Sequence, residues 1–471
     1  MNSALLLAIP LFLQGPTEPT PSELPEVRST RIDRVFAHLD RTDAPGCSVG
    51  VIVDGELVHA RGYGMANLEH GLALNADSIF RIGSTAKQFT AACLLLAEQD
   101  GALALDDPLL AHLPELGQTY ADVTVRHLVH HQSGIRDYLT LAWLADLGDA
   151  YSEGQVLELL ARQEGLDFAP GERTSYSNSG YLLMGVVLER ATGKDLRTFA
   201  HERIFEPLGM RESLFYDDHT ELVPRRAEGH EFDPSHGWRI GRTALDLVGD
   251  GGVFTSVREL AKWDANFYSH AVGGAALSEA QHRVGVLNDG TAIDYAAGLV
   301  VDEWRGLERV SHGGAFDGFR AELMRFPRQR LSIICLANNG MVDPTSLCRQ
   351  VADLYLEELY AEDEPERRRG PRPSAEAAGE PAEATLAAAD VAGPWYVPEL
   401  DAEVQLELRG DAVHYSVGAT QLGPFRSAPG DVLRGPAGLS LTAERGPDGS
   451  LLELSLGAPR SKGLRLTRPL L

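Results

Sequence analysis

The run from Ser84 to Gln99 reads as a helix that is apolar on nearly every side and is closed by Gly101. Such a helix has no face to offer water, so the remainder of the chain must be built around it. Ser84 and Lys87 stand three apart at its start and therefore share one side of the first turn. A serine hydroxyl needs an adjacent base to become a useful nucleophile. A lysine becomes that base only where burial or a neighbouring charge draws its pKa below the usual value of about 10.4. Composition sharpens the point: of 42 basic residues only Lys87, Lys194, Lys262 and Lys462 are lysines. This chain uses arginine by default, and arginine does not deprotonate. Spacing alone is equally that of an N-cap serine followed by a solvent-facing lysine, and two further stretches bear on the choice.

The first is Thr174 to Tyr181, a polar loop leading into a helix, in which Tyr176 and Asn178 are two apart. In extended backbone such positions project to one side, so a phenol and an amide can face one site together. The second is Ser311 to Phe316, where His312, Gly313 and Gly314 lie at a strand edge. Two glycines there let a ligand backbone approach closely.

At 471 residues the chain suggests two or three domains and a large core. With 42 basic against 68 acidic residues the formal charge is −26, which disfavours nucleic acid and anionic membranes as partners. No stretch of 18 apolar residues occurs after the N-terminus, so no internal membrane span is expected. Ala4 to Leu13 has the length of a signal-peptide core, and we read residues 1–20 as a signal peptide and the chain as exported, although no Lys or Arg precedes the run. Cys47, Cys93, Cys335 and Cys348 are scattered without metal-type spacing and read as core residues.

In chain order, Val27 to Leu39 reads as a first helix, and Cys47 to Val53 with Glu56 to Tyr63 as a hairpin around Asp54-Gly55. After the Ser84 helix, Asp106 to about Leu247 carries short helices broken by turns, a helical insertion. Gly249 to Val253 is a glycine-rich turn read as backbone packing, and Ser256 with Glu259 has capping-box spacing for a helix running to Tyr268. Leu299 to Trp304, Arg309 to Ser311, Gly318 to Phe326 and Leu331 to Ala337 read as strands, and Thr345 to Leu359 as a closing helix. A sheet whose strands come from both ends of a segment, with helices between, is an α+β layered domain, assigned to 27–360. Residues 361–387, rich in Ala, Glu, Pro and Arg, read as a linker, and 388–471 as a small all-β module. Its Arg409-Gly410-Asp411 reads as a hairpin turn.

With Ser84-Thr-Ala-Lys87, Tyr176-Ser-Asn178 and His312-Gly-Gly314 in this order, the chain resembles the serine β-lactamase and penicillin-binding-protein superfamily. The branch is that of class C β-lactamases, D-alanyl-D-alanine carboxypeptidases, D-aminopeptidases and related esterases. Leu128 to Gly134, Gly251-Gly252 and Leu336 to Asn339 add phrases typical of it. The resemblance implies a β-lactamase-like antiparallel sheet flanked by helices and an acyl-enzyme on Ser84, formed from a peptide, amide or ester. It implies that Lys87 and Tyr176 share the proton transfers, either serving as base, and that Asn178 orients Lys87 and binds a substrate amide. The N–H groups of Ser84 and Ala315 would form an oxyanion hole, and His312 would sit near the Tyr176 hydroxyl.

One departure matters. Where β-lactamases commonly have Lys-Thr-Gly, this chain has His312 and Gly313, a ring mostly neutral at pH 7 and a residue with no hydroxyl. That weakens recognition of a substrate carboxylate; Arg320 either replaces the lost charge or lies on a solvated face. A catalytically silent penicillin-binding sensor or scaffold, and a β-lactamase, are the alternatives. No cofactor or metal is expected: His130 and His131, about 100° apart on a helix, read as packing. The terminal module, on its strand pattern and Gly393 to Tyr396, resembles a small β-barrel that borders the active site in D-aminopeptidase-like hydrolases. Nothing in the sequence sets an oligomeric state.

Overall fold

The structure is a computed structural model and describes residues 28–361, 385–447 and 450–468. The segment read as a signal peptide and nearly all of the segment read as a linker lie outside the described residues.

Six antiparallel strands form the main sheet. Helix α1 (Ser29–Phe36) precedes the hairpin of β1 (Cys47–Val53) and β2 (Glu56–Tyr63), which turns at Asp54-Gly55 as its sequence demands. The other four strands come from far along the chain: β3 (Val300–Trp304), β4 (Leu307–Phe316), β5 (Phe319–Phe326) and β6 (Leu331–Ala337), giving the order β3-β4-β5-β6-β1-β2. β1 and β6 meet in the middle, Val49 opposite Cys335, and both are buried almost throughout. Hence they read as continuous apolar runs without alternation.

Helices cover both faces of the sheet. On one side Ile32 and Phe36 of α1 pack with Cys47, Val49, Ile333 and Cys335, and with Cys348 and Val351 of the closing helix (Pro344–Leu356). The other side receives α2 (Lys87–Gln99) and α4 (Val257–Ser269). A Cβ at Gly50 would fall 2.4 Å from Val257 Cγ1, so a glycine in β1 is what lets α4 lie against it. From Lys87 to Ala97 every residue of α2 is buried, as its composition requires, and it packs on α3 (Asn178–Thr192). All four cysteines are buried free thiols.

The segment between α2 and the later strands carries short helices separated by long turns, but it also contains the strands Leu214–Phe215 and Val253–Thr255 and the hairpin His230–Asp233 with Gly237–Ile240, which the sequence reading did not separate from its helices. Of the expected capping box on α4, Ser256 accepts from the Glu259 amide, while the Glu259 carboxylate turns to the Glu212 amide and to Lys262.

Eight strands from Gly393–Val397 to Ser461–Leu466 make the terminal sheet. Two backbone hydrogen bonds between Tyr396 and Thr467, each 2.8 Å, close its first strand onto the residues just past its last. Arg409-Gly410-Asp411 is the hairpin turn between Ala402–Arg409 and Ala412–Val417. The module is docked on the helical segment: Tyr415 donates to the Leu144 carbonyl at 2.7 Å, and buried Arg136 pairs with buried Glu399. Among the described residues no helix is long and apolar enough to cross a membrane.

Candidate active site

Ser84 sits in a tight 3-10 turn, Gly83–Ala86, that runs straight into α2. The turn delivers the hydroxyl to a cavity of about 920 Å³, while Lys87, one turn on, is 0% exposed. Lys87 Nζ donates to Ser84 Oγ at 3.2 Å, to Asn178 Oδ1 at 2.9 Å and to the Asp250 carbonyl at 2.5 Å. Two of its three donor positions are thus held by fixed oxygens, and the third is left for Ser84.

Asn178 opens α3, behind Ser177 as N-cap. Asp137 Oδ2 accepts from both the Asn178 backbone amide (2.8 Å) and its side-chain Nδ2 (2.9 Å). That orientation leaves only the amide oxygen to face Lys87. Asp250 belongs to the glycine-rich turn; its half-buried carboxyl accepts from Tyr138 Oη at 3.1 Å, and the loss of solvation pushes it above its ordinary value.

Strand β4 forms the opposite wall. Partner β3 pairs with it only from Leu307 to Ser311, so along 312–316 the strand edge on that side is open to the cavity. The motif expected at a strand edge is therefore the body of a longer strand whose neighbour stops short. Thr85 Oγ1 donates to the His312 carbonyl at 3.2 Å, and a Cβ at Gly83 would lie 2.7 Å from the Ala315 nitrogen. The Ala315 amide is thereby held against the turn that carries Ser84.

Tyr176 joins this group by its ring: Lys87 Nζ is 4.8 Å from the ring centroid. Its hydroxyl is buried and unpartnered, so the phenol is not hydrogen-bonded to Ser84, Lys87 or His312. His312 instead shares a 3.1 Å hydrogen bond with Tyr295 Oη, and its Nδ1 lies 2.6 Å from the Gly313 carbonyl. Tyr295 escaped the sequence reading because an isolated tyrosine between short loops carries no local signal. The same holds for Asp137, although it follows Leu128 to Gly134 by only three residues.

Beneath Tyr176 lies His131, its ring 4.3 Å from that of Tyr176, 4.4 Å from Tyr295 and 5.0 Å from Tyr181. Arg320 lines the cavity and donates to the Phe319 carbonyl, with Glu231 at 4.0 Å. A second guanidinium, Arg460, reaches the cavity from the terminal module and stands 5.1 Å over the Tyr176 ring. No group of three His, Cys, Asp or Glu side chains placed to hold a metal ion occurs among the described residues.

The family described as Beta-lactamase matches residues 32–353. A D-aminopeptidase of Brucella anthropi is 31% identical over 301 residues, covering 62% of this chain and 56% of that protein. A penicillin-binding protein of Bacillus subtilis is 30% identical over 301 residues, covering 60% and 66%. The chain thus spans little more than half the length of the first relative. Among solved structures, the octameric penicillin-binding protein homologue from Pyrococcus abyssi is similar over 93% of this chain and 98% of its own, with a TM-score of 0.61 and 21% identity.

Proposed function

Because the chain belongs to the beta-lactamase family, we propose that it is a serine hydrolase that cleaves small peptides or amides through an acyl-enzyme on Ser84. The observation that carries the reading is the buried Lys87 amine, aimed at Ser84 Oγ by Asn178 and the Asp250 carbonyl. With its two N–H groups given to those oxygens, a neutral amine would direct its lone pair at Ser84 Oγ, the arrangement that suits a base for the adjacent hydroxyl.

In the proposed reaction Ser84 Oγ attacks the substrate carbonyl carbon as its proton passes to Lys87 or Tyr176. The tetrahedral oxyanion is held by the N–H groups of Ser84 and Ala315, each worth about 3 to 4 kcal/mol where such donors have been removed. The proton then goes to the leaving amine as its bond to carbon breaks, and water releases the acyl group by the reverse path. The buried, unpartnered Tyr176 hydroxyl is free to serve the leaving group once substrate fills the cavity.

The relatives named D-aminopeptidase favour amides and peptides of D-amino acids as the substrate class. Arg320 and Arg460 give the cleft positive charge that His312 and Gly313 do not, and short esters fit the same chemistry. Penicillins fit less well, because Gly313 offers no hydroxyl. The apolar run Ala4 to Leu13 supports export, which cell fractionation tests.

The deciding experiment treats purified protein with a p-nitrophenyl ester, D-amino-acid amides and nitrocefin, following intact mass and turnover. We expect a Ser84-bound acyl group, turnover of ester and amide, slow nitrocefin hydrolysis, and loss of all of these in Ser84→Ala. Labelling without turnover would favour a silent binding module; no labelling at Ser84 would end the proposal.

A further inference from the structure

We propose that His131 is a positioning residue that holds Tyr176 in place for proton transfer, an inference that rests on the acyl-transfer reading above. Tyr176 lies in a loop, and the backbone on both sides of it is tied to this one histidine. The Ser177 amide donates to His131 Nδ1 at 3.2 Å, and the Ser175 amide donates to the His131 carbonyl at 2.9 Å. Thr174 Oγ1 reaches the same carbonyl at 3.3 Å. The phenol ring between these anchors rests on the imidazole, 4.3 Å centroid to centroid.

The histidine is itself held firmly. It is 2% exposed and enclosed by Tyr176, Tyr181 and Tyr295. Its φ is +55°, a left-handed conformation that non-glycine residues adopt rarely and that gathers at functional sites. An Nδ1 that accepts from an amide places the ring proton on Nε2, and Nε2 has no partner. Burial, with Lys87 and His312 nearby, keeps the ring well below the usual histidine range and hence uncharged. Such a ring is poorly placed to carry protons and well placed as a fixed support: acceptor at one edge, flat face under the phenol.

Three substitutions separate these features. His131→Asn keeps an acceptor where Nδ1 was and tolerates the left-handed backbone; His131→Phe keeps the flat ring and loses the acceptor; His131→Ala loses both. On a substrate that wild type turns over in a Ser84-dependent way, we expect His131→Ala to lower kcat about 100-fold, the scale of a lost proton-transfer group, with KM within about threefold. His131→Phe should resemble Ala, and His131→Asn should recover to within about fivefold of wild type. In a Tyr176→Phe background His131→Ala should cost less than about threefold, because the group it positions is gone; a purely structural role would cost the same factor in both backgrounds. Should His131→Ala fail to fold, judged by circular dichroism and Ser84 titration, the comparison of Asn with Phe carries the test. Undiminished kcat in a folded His131→Ala, equal losses in both backgrounds, or Asn no better than Phe would overturn the inference. A wild type without Ser84-dependent turnover would instead overturn the acyl-transfer reading.

Discussion

Gly314 and Ile82 approach so closely that a Cβ on Gly314 would lie 1.9 Å from the Ile82 carbonyl oxygen. The contact joins β4 to the turn that presents Ser84, and both sides of it are backbone. Neither can move without moving the cleft.

Gly314→Ala should therefore separate the strand from the turn. We expect about 1 to 3 kcal/mol of destabilisation, the usual cost of overpacking, together with loss of Ser84 acylation by a p-nitrophenyl ester. Gly154→Ala is the control: a Cβ there would come no nearer to another group than 3.9 Å, from Ser152 Oγ, and the residue lies in the helix Glu153–Ala161. That variant should be as stable as wild type or slightly more so. Equal melting and labelling for Gly314→Ala would show that the contact does not constrain the site.

Lys87→Arg preserves charge but removes the option of a neutral amine, and it adds bulk where no exposed volume exists. We expect kcat to fall by about 10² to 10⁴ and the pre-steady-state burst of p-nitrophenol to disappear. A burst of wild-type amplitude and rate would exclude Lys87 as the group that takes the Ser84 proton.

Glu322 on β5 lies opposite Gly313 in register and is buried, with Thr345 Oγ1 donating to it at 2.6 Å. Burial pushes its carboxyl up to about 7 from 4.5. The folded state then holds a proton that the unfolded chain releases, so this stabilisation is complete below about pH 4.5 and lost as pH rises through about 7. The interval from 4.5 to about 7, at about 1.4 kcal/mol per pH unit, corresponds to about 3 kcal/mol. Glu322→Gln should lack that dependence and be more stable than wild type at pH 8. Urea midpoints at pH 5 and pH 8 for both proteins measure the difference, and parallel pH dependences would refute it.

Arg136 and Glu399 are 5% and 2% exposed, and they join the helical segment to the terminal module. Glu399 also accepts from the Glu164 amide at 3.0 Å and from the Arg465 amide at 3.1 Å. Removing one partner of a buried pair costs about 3 to 5 kcal/mol where it leaves the other charge bare; Asp167 Oδ1 stays 3.6 Å from Arg136 Nε, so the cost here falls at or below the low end of that range. Glu399→Ala should lower the melting temperature and, because Asp137 next to Arg136 fixes Asn178, reduce kcat as well. Hydrogen exchange at the Asp137 and Asn178 amides, read by mass spectrometry, should rise; unchanged exchange would show that the module is not coupled to the cleft.

Much of the fold was legible where local pattern and burial agree. β1, β2 and β6 have the ends expected from their apolar runs and from Asp54-Gly55, and α2 is as buried as its lack of a polar face demands. β4 runs beyond the Arg309 to Ser311 that its pattern predicts, because His312, Gly313 and Gly314 carry no strand signal and are held in the strand by pairing with β5. The hairpin at His230–Asp233 and Gly237–Ile240 was hidden for a related reason: it is a short ladder within a segment of helices.

Within the site, Ser84 and Lys87 are one helical turn apart, and a local periodicity is enough to bring such residues together. By itself the sequence determined that helix, its buried character, the central strands and the order of the three motifs. Only the tertiary structure decided that Asn178 and the Asp250 carbonyl converge on Lys87, that His312 turns to Tyr295, and that Arg460 arrives from the terminal module. These partners are between 17 and 163 positions apart for the hydrogen-bonded pairs. No helical or strand period reaches so far; packing of whole elements sets those distances, and with them the direction in which each side chain points.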